Sequence, residues 1–131
     1  MPSGLGLIHT IGRSQPQPLN RWGATRVFPN AHPPALSEMM RIFEPRDFAV
    51  LDVENLRRHY ELTAEHWLAR YRANRRLIEE RVSEETARAF ELYLAGTVAA
   101  FRAATLSLYQ VLFSRARNDQ IPWTRADLYG A

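Results

Sequence analysis

Leu5-Gly6-Leu7-Ile8-His9-Thr10-Ile11 is an apolar run held between Gly4 and Gly12. It lacks the polar alternation of a half-solvated strand and so suits a strand covered on both faces in a parallel sheet. A central strand is therefore expected over residues 5–11. Phe48-Ala49-Val50-Leu51-Asp52-Val53 predicts a second strand over 48–53, and the stretch 106–113, rich in leucine, valine and aromatics, predicts a third. Three strands make a thin sheet, and a strand buried on both faces needs neighbours on both sides. With its buried strand so early, the sequence reads as an α/β fold entered midway.

Helical signals fill the intervals. Pro33 and Pro34 open a helix over 35–43, in which Leu36, Met39, Met40 and Phe43 recur at helical spacing before Glu44-Pro45 ends it. Residues 56–81 read as one long helix with Leu56, Tyr60, Thr63, Trp67 and Tyr71 on an inward face. Ser83 is a good N-cap, and the acidic Glu84 and Glu85 suit the first turn of a helix over 84–102 with a stripe of Phe90, Tyr93, Leu94, Val98 and Phe101. The segment 12–34, rich in proline and glycine, reads as a long ordered loop with Trp22, Val27 and Phe28 as anchors, and loops of that length are usually functional. The folded part is expected to be 1–114. A polar tail follows over 115–131, with Trp123, Leu128 and Tyr129 available to dock.

A chain of 131 residues, 46% hydrophobic, can bury one core. No run approaches the roughly 18 apolar residues that span a bilayer, and the start Met1-Pro2-Ser3-Gly4 lacks a secretory layout, so a cytoplasmic protein is expected. Without cysteine there is no thiolate chemistry or sulfur-based zinc site, and the four histidines form no close ligand pair. The net charge is +3 and all 17 basic residues are arginine. Arginine pairs with phosphate, which suits anionic lipid headgroups or nucleic acid. The other reading is genomic composition plus a solvated helix face, since Arg57, Arg58, Arg70, Arg72, Arg75, Arg76 and Arg81 are interleaved with glutamates. No glycine-rich nucleotide cradle, Walker lysine or nucleophile elbow occurs.

His9 stands at the carboxyl end of the expected first strand, where open α/β sheets bind ligands. Its ring and the backbone of Thr10, Ile11 and Gly12 could converge on a small anion, although a lone histidine after an apolar strand also serves structure alone. From periodicity, Tyr60 reads more readily as a core tyrosine whose hydroxyl finds a partner than as an inward phenol at a site. His59 points off that face. Asp52 and Glu54, near the end of the second strand, read as loop or cap residues more readily than as an acid or base.

Several separated pieces match one family in order. They are Gly4-Leu5-Gly6-Leu7-Ile8-His9-Thr10-Ile11-Gly12; Trp22 with Val27-Phe28-Pro29-Asn30; Asp52-Val53-Glu54-Asn55-Leu56 leading to His59-Tyr60, Thr63 and Trp67; then Tyr93-Leu94, Phe101-Arg102 and Leu108-Tyr109-Gln110-Val111-Leu112-Phe113-Ser114. In these the chain resembles the cyclopropane-fatty-acyl-phospholipid synthases and the related mycolic acid cyclopropane synthases. The resemblance implies the C-terminal part of a class I, Rossmann-like S-adenosylmethionine-dependent methyltransferase fold: its last three strands and the helical insertion over the lipid site. Such enzymes transfer a methyl group from S-adenosylmethionine to the cis double bond of an unsaturated acyl chain, and the resulting cation loses a proton and closes to a cyclopropane.

The resemblance further implies a bound bicarbonate as proton acceptor, held by the His9 side chain, the Ile11 backbone and the Tyr60 hydroxyl. An anion held by preorganised donors in a dry pocket is a stronger base than in water. The family's cofactor loop, its ribose-binding acid, and the cysteine and glutamate that complete the bicarbonate site have no counterpart in this sequence. Pro2-Ser3-Gly4 stands where relatives commonly show Pro-Gly-Gly, and Arg57-Arg58 replaces a small or flexible pair. The implied partners are phospholipid acyl chains, the inner membrane surface, and a complementing N-terminal half or a second copy. A non-catalytic module docking through Trp22, Phe28, Trp123 and the arginines is the alternative, and nucleic-acid binding would rest on arginine content alone.

Overall fold

A computed structural model describes residues 4–129. Three strands form one sheet in the order β1-β3-β2, from β1 (Leu5–Arg13), β2 (Phe48–Asn55) and β3 (Leu106–Arg115). Both pairings are antiparallel, with Ile11 opposite Leu108 and Val53 opposite Val111. The first run therefore pairs antiparallel with β3, where the reading from sequence placed it in a parallel sheet. Among the described residues β1 is an edge, and the strand between its neighbours is β3, where Ser107, Leu108, Tyr109 and Val111 are buried. Leu5 and Leu7 are each 57% exposed, so the unbroken apolar run has only one face covered. Pro2 and Ser3 of the turn before it lie outside the described residues.

The covered face carries the core. Helix α2 (Leu36–Phe43) lays Met39 and Phe43 on Tyr109 and Val111, with Ile8, Val50, Val53 and Phe113 around them. The Glu38 carboxylate accepts from the Ala35 backbone N–H at 2.7 Å, which satisfies one orphan donor at the start of the helix. A bulge between Val50 and Asp52 keeps Val50 and Val53 on the core face and leaves Asp52 and Glu54 on the other. Asp52 and Glu54 are thus strand residues, and Asp52 pairs with Arg125 from the tail.

The helical layer is a pair, α3 (Arg57–Ala73) against α5 (Glu84–Arg102). The single helix expected over 56–81 breaks at Asn74, whose N–H bonds back to Arg70 and Tyr71, and a short α4 (Arg75–Glu79) follows. The side chain of Asn74 also donates to the Arg70 carbonyl, so it terminates α3 without glycine or proline. On α3 the fully buried residues are Ala64 and Tyr71, while Trp67 stays 38% exposed; on α5 Ala87, Leu94, Thr97, Val98 and Phe101 face inward and Phe90 lies at the rim. The buried stripes are therefore rotated from those expected. Small Ala64 and Ala87 allow close approach, and the Tyr71 hydroxyl donates to the Ala87 carbonyl at 2.8 Å.

Helix α5 ends with reciprocal backbone bonds, Thr105 N–H to Ala100 and Ala104 N–H to Phe101. That is a Schellman closure with Ala104 in the left-handed region, φ 57°, where glycine is the usual occupant. Arg57 donates to the same Phe101 carbonyl at 2.6 Å, tying the start of α3 to the end of α5. Arg102 reaches Glu61 and Glu65 on α3, and Arg72 and Arg75 reach Glu91 on α5. Much of the arginine content therefore cross-links the helix pair.

Candidate functional site

The segment between β1 and α2 is not wholly loop. Asn20 caps a short helix α1 (Arg21–Arg26) by accepting from Gly23 N–H at 2.7 Å. This places Trp22, Val27 and Phe28 over the flank of α5, where Phe28 meets Tyr93 edge-on with ring centroids 5.2 Å apart. Beneath lies a cavity of about 720 Å³. Its walls are Trp22, Val27 and Phe28 above, Leu92, Tyr93, Gly96 and Thr97 of α5 to one side, and Thr10, Ile11 and Arg13 of β1 at the base. A largely apolar cavity of this size with a few polar groups is the usual form of a small-molecule or lipid-chain site.

Gly12 sets the base. A Cβ there would sit 2.6 Å from the Pro34 carbonyl oxygen and 2.8 Å from the Tyr109 ring, so only glycine lets the 31–34 segment close onto β1. The Arg13 N–H then donates to Pro34 at 2.9 Å.

The three residues singled out from sequence fall in two groups. Ile11 lines the cavity and pairs with Leu108, whose carbonyl accepts the Leu56 N–H at 2.8 Å. Tyr60 lies one turn on, its N–H bonded to the Leu56 carbonyl at 3.0 Å. Leu108 thus joins the strand carrying Ile11 to the helix carrying Tyr60, about 10 Å apart across two strand spacings. The Tyr60 ring packs on Trp67 and Phe101 at centroid distances of 5.6 and 5.1 Å. Its hydroxyl makes no hydrogen bond among the described residues. Burial raises the Tyr60 phenol above the usual tyrosine value, with nearby Tyr93 adding to the effect, so the group stays a neutral O–H donor.

His9 is in the middle of β1, not at its carboxyl end, because the ladder with β3 continues through Arg13. It shares the less-covered face of β1 with Ile11, two residues or about 7 Å along the strand. Opposite it, Gln110 Nε2 lies 3.0 Å from His9 Nδ1. An amide nitrogen only donates, so Nδ1 accepts and the ring proton sits on Nε2, directed away from the sheet. His9 does not line the cavity.

Three residues that shape the cavity or its surroundings were not legible as such. Tyr93 had been placed on a core stripe and instead forms cavity wall. Gly96 carried no signal, yet a Cβ there would meet nothing within 4 Å, so it borders open space. Arg57, at the position of the expected small or flexible pair, fixes the start of α3 and hence the position of Tyr60.

The family model for mycolic acid cyclopropane synthetase matches residues 1–111. A probable fatty acid methyltransferase of Pseudomonas putida is 33% identical over 98% of this chain and 34% of its own length. The cyclopropane-fatty-acyl-phospholipid synthase of Escherichia coli K12 is 36% identical over 87% of the chain and 30% of its own length. The chain thus spans about a third of these curated relatives. A mycolic acid cyclopropane synthase solved with SAH and CTAB superposes with a TM-score of 0.77 at 24% identity, over 85% of this chain and 44% of that one. That likeness shows the fold, α/β, of which this chain carries under half. With 111 of its residues under one family model, the chain belongs to the mycolic acid cyclopropane synthetase family.

Proposed function

We propose that this chain supplies the lipid wall and the anion-holding residues of a cyclopropane-forming, S-adenosylmethionine-dependent methyltransferase acting on the cis double bond of an unsaturated phospholipid acyl chain. The observation that carries this reading is the apolar cavity with Ile11 at its base and Tyr93 in its wall. When bound, S-adenosylmethionine supplies the methyl group and bicarbonate the proton acceptor. In this reading His9 Nε2 and the Tyr60 hydroxyl, neither of which has a protein hydrogen-bond partner among the described residues, are the side-chain donors to a small oxyanion, and the Ile11 backbone is the third contact. Gln110 holds the His9 tautomer, and Arg57 fixes the approach of α3. Trp22, Phe28 and Tyr93 exclude water from the acyl chain.

No glycine-rich cofactor cradle occurs among the described residues, so in this reading the cofactor contacts come from the rest of the fold, in cis or from a companion chain. Residues 1–114 act as the methyltransferase part and 115–131 as its tail. The assembly works peripherally at the cytoplasmic membrane face; no helix among the described residues is long and apolar enough to cross a membrane. A second reading, a docking module for a homologous synthase, is favoured by the exposed Leu5 and Leu7 on β1.

The test is calorimetric titration of S-adenosylmethionine into the chain alone and mixed with the separately expressed N-terminal half of a related synthase, followed by product analysis on unsaturated phospholipid. Cofactor binding and transfer only in the mixture is the expected result, with turnover lowered by His9→Ala or Tyr60→Phe while cofactor binding persists. Association with the half but no transfer supports the docking module. Cofactor binding by the chain alone overturns the proposed division of labour.

A further inference from the structure

Arg13 is a cavity-lining side chain whose chemistry the proposed reaction leaves unused. It closes β1, opposite Leu106, and lines the same cavity. Its Nε is fully buried and has no hydrogen-bond partner, and its guanidinium joins no ion pair among the described residues. The acid on the adjoining segment is committed elsewhere: Glu38 accepts from Ala35 N–H at 2.7 Å and stands 3.3 Å from His32 Nε2. His32 itself also lines the cavity, as does Asn20.

A permanently charged donor group brought into an apolar cavity without a counter-charge is costly, and such groups are retained where an anion completes them. The backbone around Arg13 is fixed by the Gly12 contact and the bond to Pro34, so the half-buried side chain starts from a set place at the cavity base and its Nε stays covered. We propose that Arg13 is an anion-binding residue that receives the phosphate or carboxylate oxygens of an amphiphile whose chain occupies the cavity. The guanidinium presents a planar fork of donors matched to such an oxyanion. Resting on the reading of the cavity as a lipid site, the proposal adds head-group selection: the cavity discriminates by charge at the β1 end and by apolar fit elsewhere.

Trp22 in the wall gives the readout. Intrinsic fluorescence of the full chain is titrated with oleate, monooleoyl phosphate, oleyl alcohol and inorganic phosphate, for the native protein, Arg13→Gln and Arg13→Lys, each checked for native thermal unfolding. The two anionic amphiphiles are expected to bind about tenfold or more tighter than the alcohol, as one charge-assisted contact implies. Arg13→Gln should abolish that preference without weakening alcohol binding, and Arg13→Lys should retain part of it. If inorganic phosphate binds as tightly as the amphiphiles and Arg13→Gln removes it, the anion site stands and the lipid reading of the cavity falls. Equal affinity for alcohol and anions, a preference that survives Arg13→Gln, or no binding of any probe overturns the proposal.

Discussion

Gly96 sits in the middle of α5, where glycine costs roughly 0.5–1 kcal/mol relative to alanine because of the backbone entropy lost on folding. Nothing in the packing demands it, since an added Cβ would find no atom within 4 Å, and the residue lines the cavity. Gly96→Ala should therefore stabilise the protein by about 0.5–1 kcal/mol, raising the unfolding midpoint by about 3 °C for a chain of this size. Gly96→Phe should fold as well as the native chain but fill the space beneath Trp22 and Phe28, with oleate binding falling while stability holds. Thermal and urea unfolding measure the first effect, and fluorescence titration the second. A Gly96→Ala protein less stable than native by 0.5 kcal/mol or more would mean the space is occupied. A Gly96→Phe protein that binds oleate normally would mean that the chain does not pass α5.

The complementary substitution is Ala104→Gly, which relieves a left-handed backbone at the end of α5 and should add about 1 kcal/mol in urea unfolding. Tyr71→Phe removes the second donor to the buried Ala87 carbonyl, which keeps its helical bond, and should cost about 1 kcal/mol. Burial lifts the Tyr71 phenol above its ordinary value, as it does Tyr60, so their contribution is complete below pH about 10 and lost as pH rises through the folded values. Stability followed by circular dichroism should fall above pH about 10, and less steeply in Tyr71→Phe. Gln110→Glu replaces the donor opposite His9 Nδ1 by an acceptor, moving the ring proton to Nδ1; nitrogen-detected NMR of His9 reads the tautomer directly, and an unchanged proton on Nε2 would refute its assignment to Gln110.

What could be read from sequence was local chemistry. Ser83 followed by two glutamates marked the start of α5, and Glu84–Arg102 is the helix observed. The three apolar runs marked the strands, each extended by two residues where the ladder continues past the apolar stretch. What could not be read was set by partners distant in the chain. Leu5 and Leu7 look like core because nothing in their own segment says that α2 packs on the opposite face of the sheet and leaves theirs exposed among the described residues. The break at Asn74 falls in a run of good helix formers, and only the side-chain bond to Arg70 identifies it. His9 and Ile11 were grouped because they are near neighbours in the chain. The link from their strand to the helix of Tyr60 runs through Leu108, more than 100 positions from the start of β1, which no spacing rule reveals.

The order β1-β3-β2 also dictates when the sheet can exist. Neither outer strand touches the other, so each must wait for the last one to be made, and the bond between His9 and Gln110 closes a separation of 101 residues. At ribosomal speeds of about 5–20 residues per second, Leu5-Gly6-Leu7-Ile8 waits roughly 5–20 s for β3 to emerge. Helices α3 and α5, closer in sequence, can form their pair first and give β3 a surface on which to settle. Slow β-pairing after fast helix formation is the expected kinetic signature, and the interval between them is when this chain is most exposed to aggregation and most dependent on chaperones.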